Sequence, residues 1–439
     1  MKKKLISMLL CAVMVGAMLT GCGGTSGDAP AADNSAGSTE GGSGEEAEIY
    51  MFIASPEYAD AINELIDAYK EVAPGVTINY ETTQNDYPTM LKAKLNSGDV
   101  PDIFSSTSGK EIDVYKEWSY NMESEPLAET IDPAVAEMMK SPADGNGLYG
   151  IAIKGNFFGM IYNKEIFESC GISEFPRTAH AMEEACMKIE AAGYKPFTTG
   201  FAEWWVFKHV WQHYLDAAAA NAGMEPAALV AAFEKGEAKI ADYPELYDNF
   251  FNMIDLVVTY GDDKPLETAL ENEEAAFANG EAAMMVGQGA WVEADLLSIN
   301  PDLKIGFAGY PVTEDAAQSQ VISGSDQSLH VYKDSAQLQA TMDFVNWWYT
   351  SDYGKAWFVD VAGVVPPVIS EGESTFEVIN QGNALAAADG TASLSICYST
   401  DSWHQTFGEL MQAYIAGTAD KDATCASIEE QWQTIEGAN

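Results

Sequence analysis

The chain has 439 residues, of which 47% are hydrophobic and 11% aromatic, a composition typical of a globular protein rather than a disordered one. Its 67 acidic and 22 basic residues give a formal net charge of −45, which argues against a nucleic-acid partner because phosphates need a basic surface. The charge also disfavours an anionic ligand reached by long-range steering, but it does not identify a cationic one, since dispersed surface acid explains it by keeping the protein soluble.

The N-terminal residues have the pattern of an export signal. Lys2–Lys4 precede the uncharged apolar run Leu5–Leu19, which is too short for an ordinary membrane-spanning helix. The run ends in Leu19-Thr20-Gly21-Cys22, which resembles the lipobox of bacterial lipoproteins. This resemblance predicts a signal peptide over 1–21, a diacylglyceryl group on Cys22, and a location outside the cytoplasm, anchored to the cell membrane. The alternatives are a plain secretory signal with a chance cysteine and a permanent membrane anchor.

The next segment, 22–47, consists almost entirely of Gly, Ser, Ala, Asp, Glu and other small or polar residues. Such a segment cannot bury apolar area, so we expect a flexible linker. The rest of the chain is long for one hydrophobic core, which predicts two domains.

Order is expected to begin near Glu48, with strands and helices in alternation. This βαβ series implies a mainly parallel sheet. The predicted elements are a strand over Ile49–Ile53, a helix over Pro56–Lys70, a strand over Val76–Tyr80, a helix over Tyr87–Asn96 and a short strand at Ile103–Phe104.

A second α/β block follows, and it ends in helices. Thr178 is the expected N-cap of one helix and Gly193 its stop. Predicted strands are Tyr149–Ile153, Phe158–Tyr162, Phe197–Gly200, Ala282–Val286 and Ile305–Tyr310; predicted helices are Thr178–Ala192, Phe201–Asn221, Leu246–Val258, Gln337–Tyr349 and Gly408–Ile415.

Catalytic and cofactor motifs are not found in the sequence. It contains no GxxxxGK[ST], HExxH or GxSxG pattern. Gly145, Gly147 and Gly150 fit GxGxxG spacing but precede a strand, which favours a loop over a dinucleotide site. His209 and His213 share a helix face, as metal ligands can, yet aromatic residues surround them, so a packed or solvated face is preferred. We therefore expect no cofactor and no metal.

Four cysteines lie beyond the lipobox, namely Cys170, Cys186, Cys397 and Cys425. No CxxC pair is present, so a zinc knuckle is not expected. An exported location permits disulfides, and Cys170 with Cys186 is the candidate pair, although Cys186 has the pattern of a buried helix position. The sequence leaves disulfides and free thiols as open alternatives.

Several spaced motifs carry a family resemblance over most of residues 47–360. Lys70–Val76 resembles the "F-x-K-x-x-P-x-I-x-V" joint, and Leu95–Phe104 resembles the "SG-x-x-PDVF" segment, of extracellular solute-binding proteins. Tyr149-Gly150-Ile151 with Gly159–Phe167 is similar to "YG-I-P … YYNK-x-LF". Gly171-Ile172 and Pro176-Arg177-Thr178 match its continuation, "G-L-x-x-P-P-K-T-W-x-E", although Ala179 stands where the family usually has tryptophan. Phe277–Met284 followed by Gly287-Gln288-Gly289-Ala290-Trp291 resembles "F-x-x-G-K-A-A-M-x-x-x-G-x-W". The family is the carbohydrate-type solute-binding protein of ABC importers.

The resemblance implies an α/β fold of the type II periplasmic-binding-protein kind, with two discontinuous lobes, a hinge and an interlobe cleft. We expect an N-terminal lobe of 48–153 plus 320–352 and a C-terminal lobe of 154–319 plus 353–439. The implied function is capture of a sugar or oligosaccharide and its delivery to two permease subunits and their ATPase. The expected protein is a monomer, not an enzyme.

A sugar offers apolar faces and a rim of hydroxyls, so its site needs aromatic platforms and hydrogen-bonding side chains in a cleft. In open α/β sheets such side chains follow the carboxyl ends of strands. By resemblance, Trp291 is a platform, and its replacement by alanine should leave the ligand-free protein nearly as stable as before. The predicted ligand-binding residues are Glu57, Asp86, Tyr87, Ser106, Thr107, Asn156, Glu203, Trp204, Trp205, Gln288, Trp291 and Asp326.

Each of these residues also has a structural interpretation. The tryptophans could belong to the core, and Glu57 and Asp326 could be solvated loop acids. Trp204 and Trp205, as neighbours on a predicted helix, should not both face one cleft. Lys154 is interpreted as a surface charge, and Ser323–Gln327 resembles a glycine-containing cleft loop.

Three other functions stay open. The same architecture could bind another solute, such as a polyamine, which a cleft rich in carboxylates would favour. An extracellular glycan-active enzyme with paired carboxylates is a second alternative. A sensory partner of a membrane kinase is the third.

Overall fold

The computed structural model describes residues 46–141, 143, 145–369 and 374–436. The predicted signal peptide, Cys22 and the linker up to residue 45 lie outside these ranges. The first strand begins at Ala47, the last residue of the predicted linker. Among the helices described, none has the length and apolar character needed to cross a membrane.

The described ranges contain helices and strands in alternation along most of the chain. The strands are β1 (Ala47–Ile53), β2 (Val76–Thr82), β3 (Ile103–Thr107), β4 (Ile151–Phe158), β5 (Met160–Asn163), β6 (Lys195–Thr199), β7 (Ala282–Val286), β8 (Ile305–Ala308), β9 (Val321–Val331) and β10 (Thr391–Ala392). The α-helices are α1 (Ala59–Val72), α2 (Tyr87–Ser97), α3 (Lys110–Tyr115), α4 (Pro133–Ala136), α5 (Lys164–Ser169), α6 (Ala179–Ala191), α7 (Val206–Ala222), α8 (Pro226–Glu234), α9 (Phe251–Tyr260), α10 (Leu270–Ala278), α11 (Glu293–Ile299), α12 (Leu338–Thr350), α13 (Asp352–Asp360), α14 (Glu377–Asp389), α15 (Asp401–Ile415) and α16 (Lys421–Gln431).

The first lobe is built on a mixed sheet in which the strand order is β10-β9-β3-β1-β2, with β4 paired to β9. Strand β1 is parallel to both β2 and β3, as the βαβ pattern predicts. Strand β9 is antiparallel to β3 and β4 and parallel to β10, so the sheet is mixed and the predicted parallel pairing holds for β1, β2 and β3 and for the β9–β10 pair. All residues of β3 and β4 are buried, whereas β2, at the edge of the sheet, contains only partly buried and exposed residues.

The prediction of a loop at Ser323–Gln327 is wrong, because these residues lie inside β9. Their small and polar side chains have weak strand propensity. Pairing on both sides decides the conformation, since Gln327 lies opposite Thr107 of β3 and Gly324 opposite Asn156 of β4. Tertiary context therefore overrides the local sequence at this strand.

The second lobe has a four-stranded sheet in the order β6-β7-β5-β8. Strands β6 and β7 are parallel, and β5 is antiparallel to both β7 and β8. Thr178 caps α6 as predicted, since its hydroxyl accepts a hydrogen bond from the amide of Ala181 at 3.3 Å. Helix α7 begins only at Val206, five residues later than the sequence predicts.

Two strands lead from the first sheet toward the second. Strand β4 pairs with β9 from Ile151 opposite Leu329 to Phe158 opposite Ile322, and Phe158 also bridges to Gly289 at the end of β7. The register of this pairing shifts twice, on either side of Lys154. The β4–β9 pair is therefore the connection at which the two lobes meet.

The lobe boundaries themselves remain a proposal, with one adjustment. Helix α13 packs beside α12 on the first lobe, where the indole of Trp357 donates a hydrogen bond to the carbonyl of Ala61 at 2.8 Å. We therefore propose that the chain passes from the first lobe to the second for the last time after Asp360, not at 352–353. Helices α15 and α16 pack together and against α7, on the second lobe.

Candidate functional site

A cavity of about 540 Å³ lies between the two lobes. Its size is within the range of small-molecule sites, about 300–1,000 Å³. The wall is formed by the carboxyl ends of β1 and β3, by the middle of β4 and β9, and by α7, α10, α11 and their preceding turns. The predicted residues that line it are Glu57, Tyr87, Ser106, Thr107, Asn156, Glu203, Trp204, Trp205, Trp291 and Asp326.

Two predicted residues do not line the cavity. Asp86 is exposed and precedes α2, and its neighbours Gln84 and Asn85 occupy the wall instead. Gln288 is buried behind the wall, where it contacts Trp291. Both predictions placed the right loop at the cavity but chose the wrong side chain, because the side-chain direction in a turn does not follow from position alone.

Two hydroxyls that line the cavity are already used within the protein. The Tyr87 hydroxyl lies 3.0 Å from the carbonyl oxygens of both Phe52 and Ser105. The Ser106 hydroxyl lies 2.8 Å from Nε2 of His330, which is fully buried. These two residues therefore shape the wall, and their hydroxyls are not free to bind a ligand.

Three tryptophans supply the aromatic part of the wall. Trp291 packs edge-on against Phe158 and His209, with ring centroids 5.4 and 5.3 Å apart. Trp204 and Trp205 both line the cavity, which corrects the expectation that only one of them could. That expectation assumed a helix, but the pair stands in the turn before α7, where neighbouring side chains can face the same space.

The Gly287-Gln288-Gly289-Ala290-Trp291 motif has a steric explanation. A Cβ on Gly289 would lie 2.2 Å from Cζ3 of Trp291 and 2.3 Å from the carbonyl oxygen of Phe157. Gly287 adopts a φ of +77°, and a Cβ there would lie 2.3 Å from Val206. The two glycines therefore let the turn after β7 pass close to α7 and place the Trp291 ring over its own backbone.

A buried chain of hydrogen bonds fixes the edge of the Trp291 ring. The indole Nε1 donates to Oε1 of Gln288 at 3.2 Å, and Nε2 of Gln288 donates to Oε2 of Glu273 at 2.8 Å. The other carboxyl oxygen of Glu273 accepts from the amide of Val286 at 3.1 Å. Burial raises the pKa of Glu273 well above its usual range, and neither Gln288 nor Glu273 lines the cavity.

Gln288→Ala is expected to leave the Trp291 indole and Oε2 of Glu273 without a partner, while Oε1 of Glu273 keeps its bond to the Val286 amide. We expect a loss of about 1–3 kcal/mol in the free energy of unfolding, together with weaker ligand binding because the ring is no longer held. Ser399→Ala is the matched control, since Ser399 accepts a hydrogen bond from the buried indole of Trp432 at 3.1 Å, away from the cavity. Calorimetric affinity and chemical unfolding measure the two effects. An equal loss of affinity in both variants would contradict a specific role for Gln288.

Two lysines reach the cavity wall, and both are paired. Lys154 lies 2.8 Å from Glu57 and 4.2 Å from the ring centre of Tyr58, and its side chain is only 8% exposed. The interpretation of Lys154 as a surface charge is therefore wrong, because β4 turns this residue into the cavity. Lys208 lies 3.8 Å from Asp401, which also accepts a hydrogen bond from the hydroxyl of Thr107.

The wall contains residues that sequence reasoning missed. Helices α10 and α11 contribute Glu271, Glu274 and Asp295, and no motif marked them because α10 was not predicted as an element. Their spacing could have indicated a shared surface, because residues three or four positions apart lie on the same face of a helix. Trp291 and Asp295 are four residues apart, and Glu271 and Glu274 are three apart. The other missed residues are Gln84, Asn85, Lys208, His209, Leu270, Ser298, Ile299, Gln327 and Asp401.

Five residues that line the cavity each carry a buried polar atom with no hydrogen-bond partner within the described part of the chain. Buried polar atoms have a hydrogen-bond partner in the great majority of cases, so five unpaired ones around one cavity need an explanation. Donors and acceptors are both present, which suits a ligand with hydroxyl groups. The atoms are Oε1 of Gln84, Oδ1 of Asn156, Nε1 of Trp204, Nε1 of Trp205 and Oε1 of Glu274.

The histidine pair is packed into the second lobe. Nδ1 of His209 lies 2.9 Å from the carbonyl oxygen of Gly287, and the His213 ring stacks at a tilt on Tyr310, 4.7 Å away. Burial lowers the pKa of each imidazole to about 3, so both are neutral at physiological pH. The packed-face interpretation is confirmed. In the described ranges, no three acidic, histidine or cysteine side chains converge closely enough to hold a metal ion.

The remaining sequence expectations concern loops and thiols. Gly145, Gly147 and Gly150 lie in the loop before β4, as predicted. Cys170, Cys186, Cys397 and Cys425 are all free thiols, and burial raises the pKa of Cys186 to about 12. The candidate pair Cys170–Cys186 is therefore not a disulfide in this structure.

Comparison with known proteins gives one family and several relatives. The family described as "Bacterial extracellular solute-binding protein" matches residues 55–355. The melibiose/raffinose/stachyose-binding protein MelE of Bacillus subtilis is 21% identical over 301 residues, which cover 68% of this chain and 68% of that protein. The multiple sugar-binding protein of Streptococcus mutans is 22% identical over 309 residues, covering 69% of this chain and 71% of the relative.

Solved structures share the fold. A sugar transporter protein from Bacillus licheniformis in complex with stachyose superposes with a TM-score of 0.72 at 16% identity, covering 89% of this chain and 100% of that one. A chitin oligosaccharide binding protein gives a TM-score of 0.76 at 16% identity, covering 89% and 99%. A Bifidobacterium animalis protein in complex with mannobiose gives a TM-score of 0.66 at 19% identity, covering 89% of this chain and 95% of that one.

Proposed function

Because the chain belongs to the bacterial extracellular solute-binding protein family, we propose that it captures an oligosaccharide in the interlobe cavity and delivers it to the permease of an ABC importer. The relatives are named as binders of melibiose, raffinose, stachyose and multiple sugars. The observation that carries the proposal is the wall itself, whose residues include three tryptophans and five side chains with a buried polar atom that has no partner among the described residues.

The chemistry of this wall fits a sugar. Flat indole rings match the apolar C–H faces of a pyranose, and unpaired amide, indole and carboxyl atoms match its hydroxyls. Nε1 of Trp204 and Nε1 of Trp205 are buried and have no acceptor among the described residues. A ligand hydroxyl that reaches either atom would supply the missing hydrogen bond. We propose that Glu57, Thr107, Asn156, Glu203, Trp204, Trp205, Trp291 and Asp326 contact the ligand.

Closure of the two lobes supports a trapping mechanism. Asn85 of the first lobe donates a hydrogen bond to Glu203 of the second at 2.5 Å, and Thr107 of the first lobe donates one to Asp401 of the second. Such contacts join the rims of the cavity while the ligand is held, and permease subunits would receive this closed form. We propose that the protein acts as a monomeric binder and performs no catalysis.

The family places the protein outside the cytoplasm, and we propose that Cys22 attaches it to the membrane through a diacylglyceryl group. A single acyl chain binds a membrane only weakly, so two chains on the cysteine are needed for stable attachment. A flexible linker after Cys22 would then keep the binding lobes close to the permease and raise their effective concentration there.

A thermal-shift screen of the mature chain tests the proposed function. Neutral oligosaccharides such as raffinose, stachyose, mannobiose and chitin oligosaccharides are compared with spermidine and with buffer alone. A ligand at 100 times its dissociation constant should stabilise the folded state by about 2.7 kcal/mol. A shift with spermidine and none with any saccharide would contradict the proposal, and so would turnover of a glycan in the same mixtures.

A further inference from the structure

We propose that the end of the cavity formed by α10 and α11 binds a protonated amine, so that the preferred ligand is a saccharide carrying a free amino group. We call this region the acidic end; its residues are Glu271, Glu274 and Asp295. The inference rests on the proposed function and specifies its ligand. It names the class of ligand group that the acidic end would bind, a part of the wall for which stacking on the tryptophans provides no role.

The acids elsewhere on the wall have partners, whereas those of the acidic end do not. Glu57 pairs with Lys154 and Asp401 with Lys208, while Glu203 accepts a hydrogen bond from Asn85 and Asp326 one from Asn156 at 3.5 Å. No described lysine, arginine or histidine pairs with the carboxylates of the acidic end. Negative charge is therefore left over at this one end of the cavity.

Glu274 provides a second and independent observation. Its side chain lines the cavity, the residue is only 6% exposed, and its Oε1 has no hydrogen-bond partner among the described residues. A buried carboxyl oxygen without a partner is costly for a folded protein. A ligand that brings a hydrogen-bond donor to this oxygen removes that cost.

The environment favours a cationic donor over a neutral one. Burial and the nearby carboxylates Asp295 and Glu271 raise the pKa of Glu274 to about 8, and burial with Glu57 raises the pKa of Asp295. Below about pH 8, Glu274 is therefore protonated in the empty cavity. An arriving ammonium group favours its ionised form and makes charge-assisted hydrogen bonds with it, whereas a neutral hydroxyl does neither. The formal charge of −45 also attracts a cation over long range.

The geometry favours an ammonium group over a metal ion and links it to a sugar ring. The carboxylates of the acidic end do not converge into a set of three that could hold a metal within the described chain. An ammonium group, with three rotatable donors, accepts such a spread arrangement. Trp291 stands one helical turn before Asp295 on the same wall, so a ring stacked on this indole has the acidic end beside it.

Isothermal titration calorimetry of the mature chain near pH 6.5 tests the proposal with saccharide pairs that differ only in an amine or a hydroxyl at C2. The pairs are glucosamine with glucose, galactosamine with galactose, mannosamine with mannose, and chitosan with cellulose oligosaccharides of equal length. We expect at least one amino saccharide to bind tenfold or more tightly than its neutral partner. Glu274→Gln and Asp295→Asn should each reduce that preference several-fold.

Glu281→Gln is the matched control, because Glu281 is exposed just after α10 and does not line the cavity. It removes one negative charge from the same region and should leave the preference unchanged. Equal affinities within every pair, or a preference that persists in both cavity variants, would contradict the proposal that the acidic end binds an amine. Either result would leave the proposed capture of an oligosaccharide intact. Failure of every saccharide, amino or neutral, would contradict the proposed function as well.

Discussion

Trp291→Ala is expected to abolish measurable oligosaccharide binding, with a loss of at least about 2 kcal/mol in binding free energy, as buried aromatic anchors typically show. The variant removes the ring that lines the cavity and the indole that Gln288 holds. It should also reduce the free energy of unfolding by about 3–5 kcal/mol, since Trp291 is only 9% exposed and packs against Phe158 and His209. Calorimetry and chemical unfolding measure the two losses separately.

Trp348→Ala separates these effects. Trp348 is fully buried in the first lobe, where it packs against Trp357 and Phe358, and it does not line the cavity. It should lower stability as much as Trp291→Ala does, yet retain ligand binding at temperatures where it is folded. If both variants lost affinity equally, Trp291 would be a core residue without a direct role in binding.

Lys154→Met is expected to destabilise the protein by about 3–5 kcal/mol, the second large effect. The substitution leaves Glu57 as a partly buried carboxylate whose side chain is 14% exposed and whose cationic partner is gone. It also removes the ammonium group that lies over the Tyr58 ring, 4.2 Å from its centre. Urea-induced unfolding of the variant measures the loss.

An exposed ion pair gives the control for this prediction. Lys264 lies 2.7 Å from Glu267, nearly as close as Lys154 lies to Glu57, but both side chains are about 70% exposed. Lys264→Met should therefore have little effect on stability, because solvent screens such an exposed pair. The double variant Lys154→Met with Glu57→Gln should recover much of the loss, because no charge is then left unpaired. A double variant as unstable as Lys154→Met alone would show that the loss comes from packing.

The sequence predicts much of this fold because most strands are short apolar runs that end at a turn residue. Ala282–Val286 was predicted with its observed bounds, and β1, β2 and β3 follow the expected parallel order. Strand β9 could not be predicted, since Ser323–Gln327 has no apolar pattern and is held as a strand by pairing on both sides. The hydrophobic pattern of a segment indicates which of its side chains are buried, but it does not show which distant strands the segment pairs with.

The candidate site was predictable where a loop follows a strand and poorly predictable elsewhere. Glu57, Thr107 and Asn156 were placed correctly on the wall by their positions after or within strands. Glu274 and Asp295 were missed, because they lie on helices whose contribution to the cavity depends on how the second lobe packs. The structure gives a reason to revise the expectation that Trp291→Ala would spare the ligand-free protein, since the Trp291 ring lines the cavity and is also only 9% exposed.

The two register shifts in the β4–β9 pair have a mechanical consequence. A regular two-stranded ribbon resists bending, whereas irregular pairing interrupts its hydrogen-bond ladder and concentrates curvature at one place. In this chain that place is Lys154, whose side chain reaches the cavity and pairs with Glu57. The point at which the pairing between the lobes is most irregular thus also lines the cavity in which we propose that the ligand binds, so we expect ligand binding and bending of the β4–β9 pair to affect each other there.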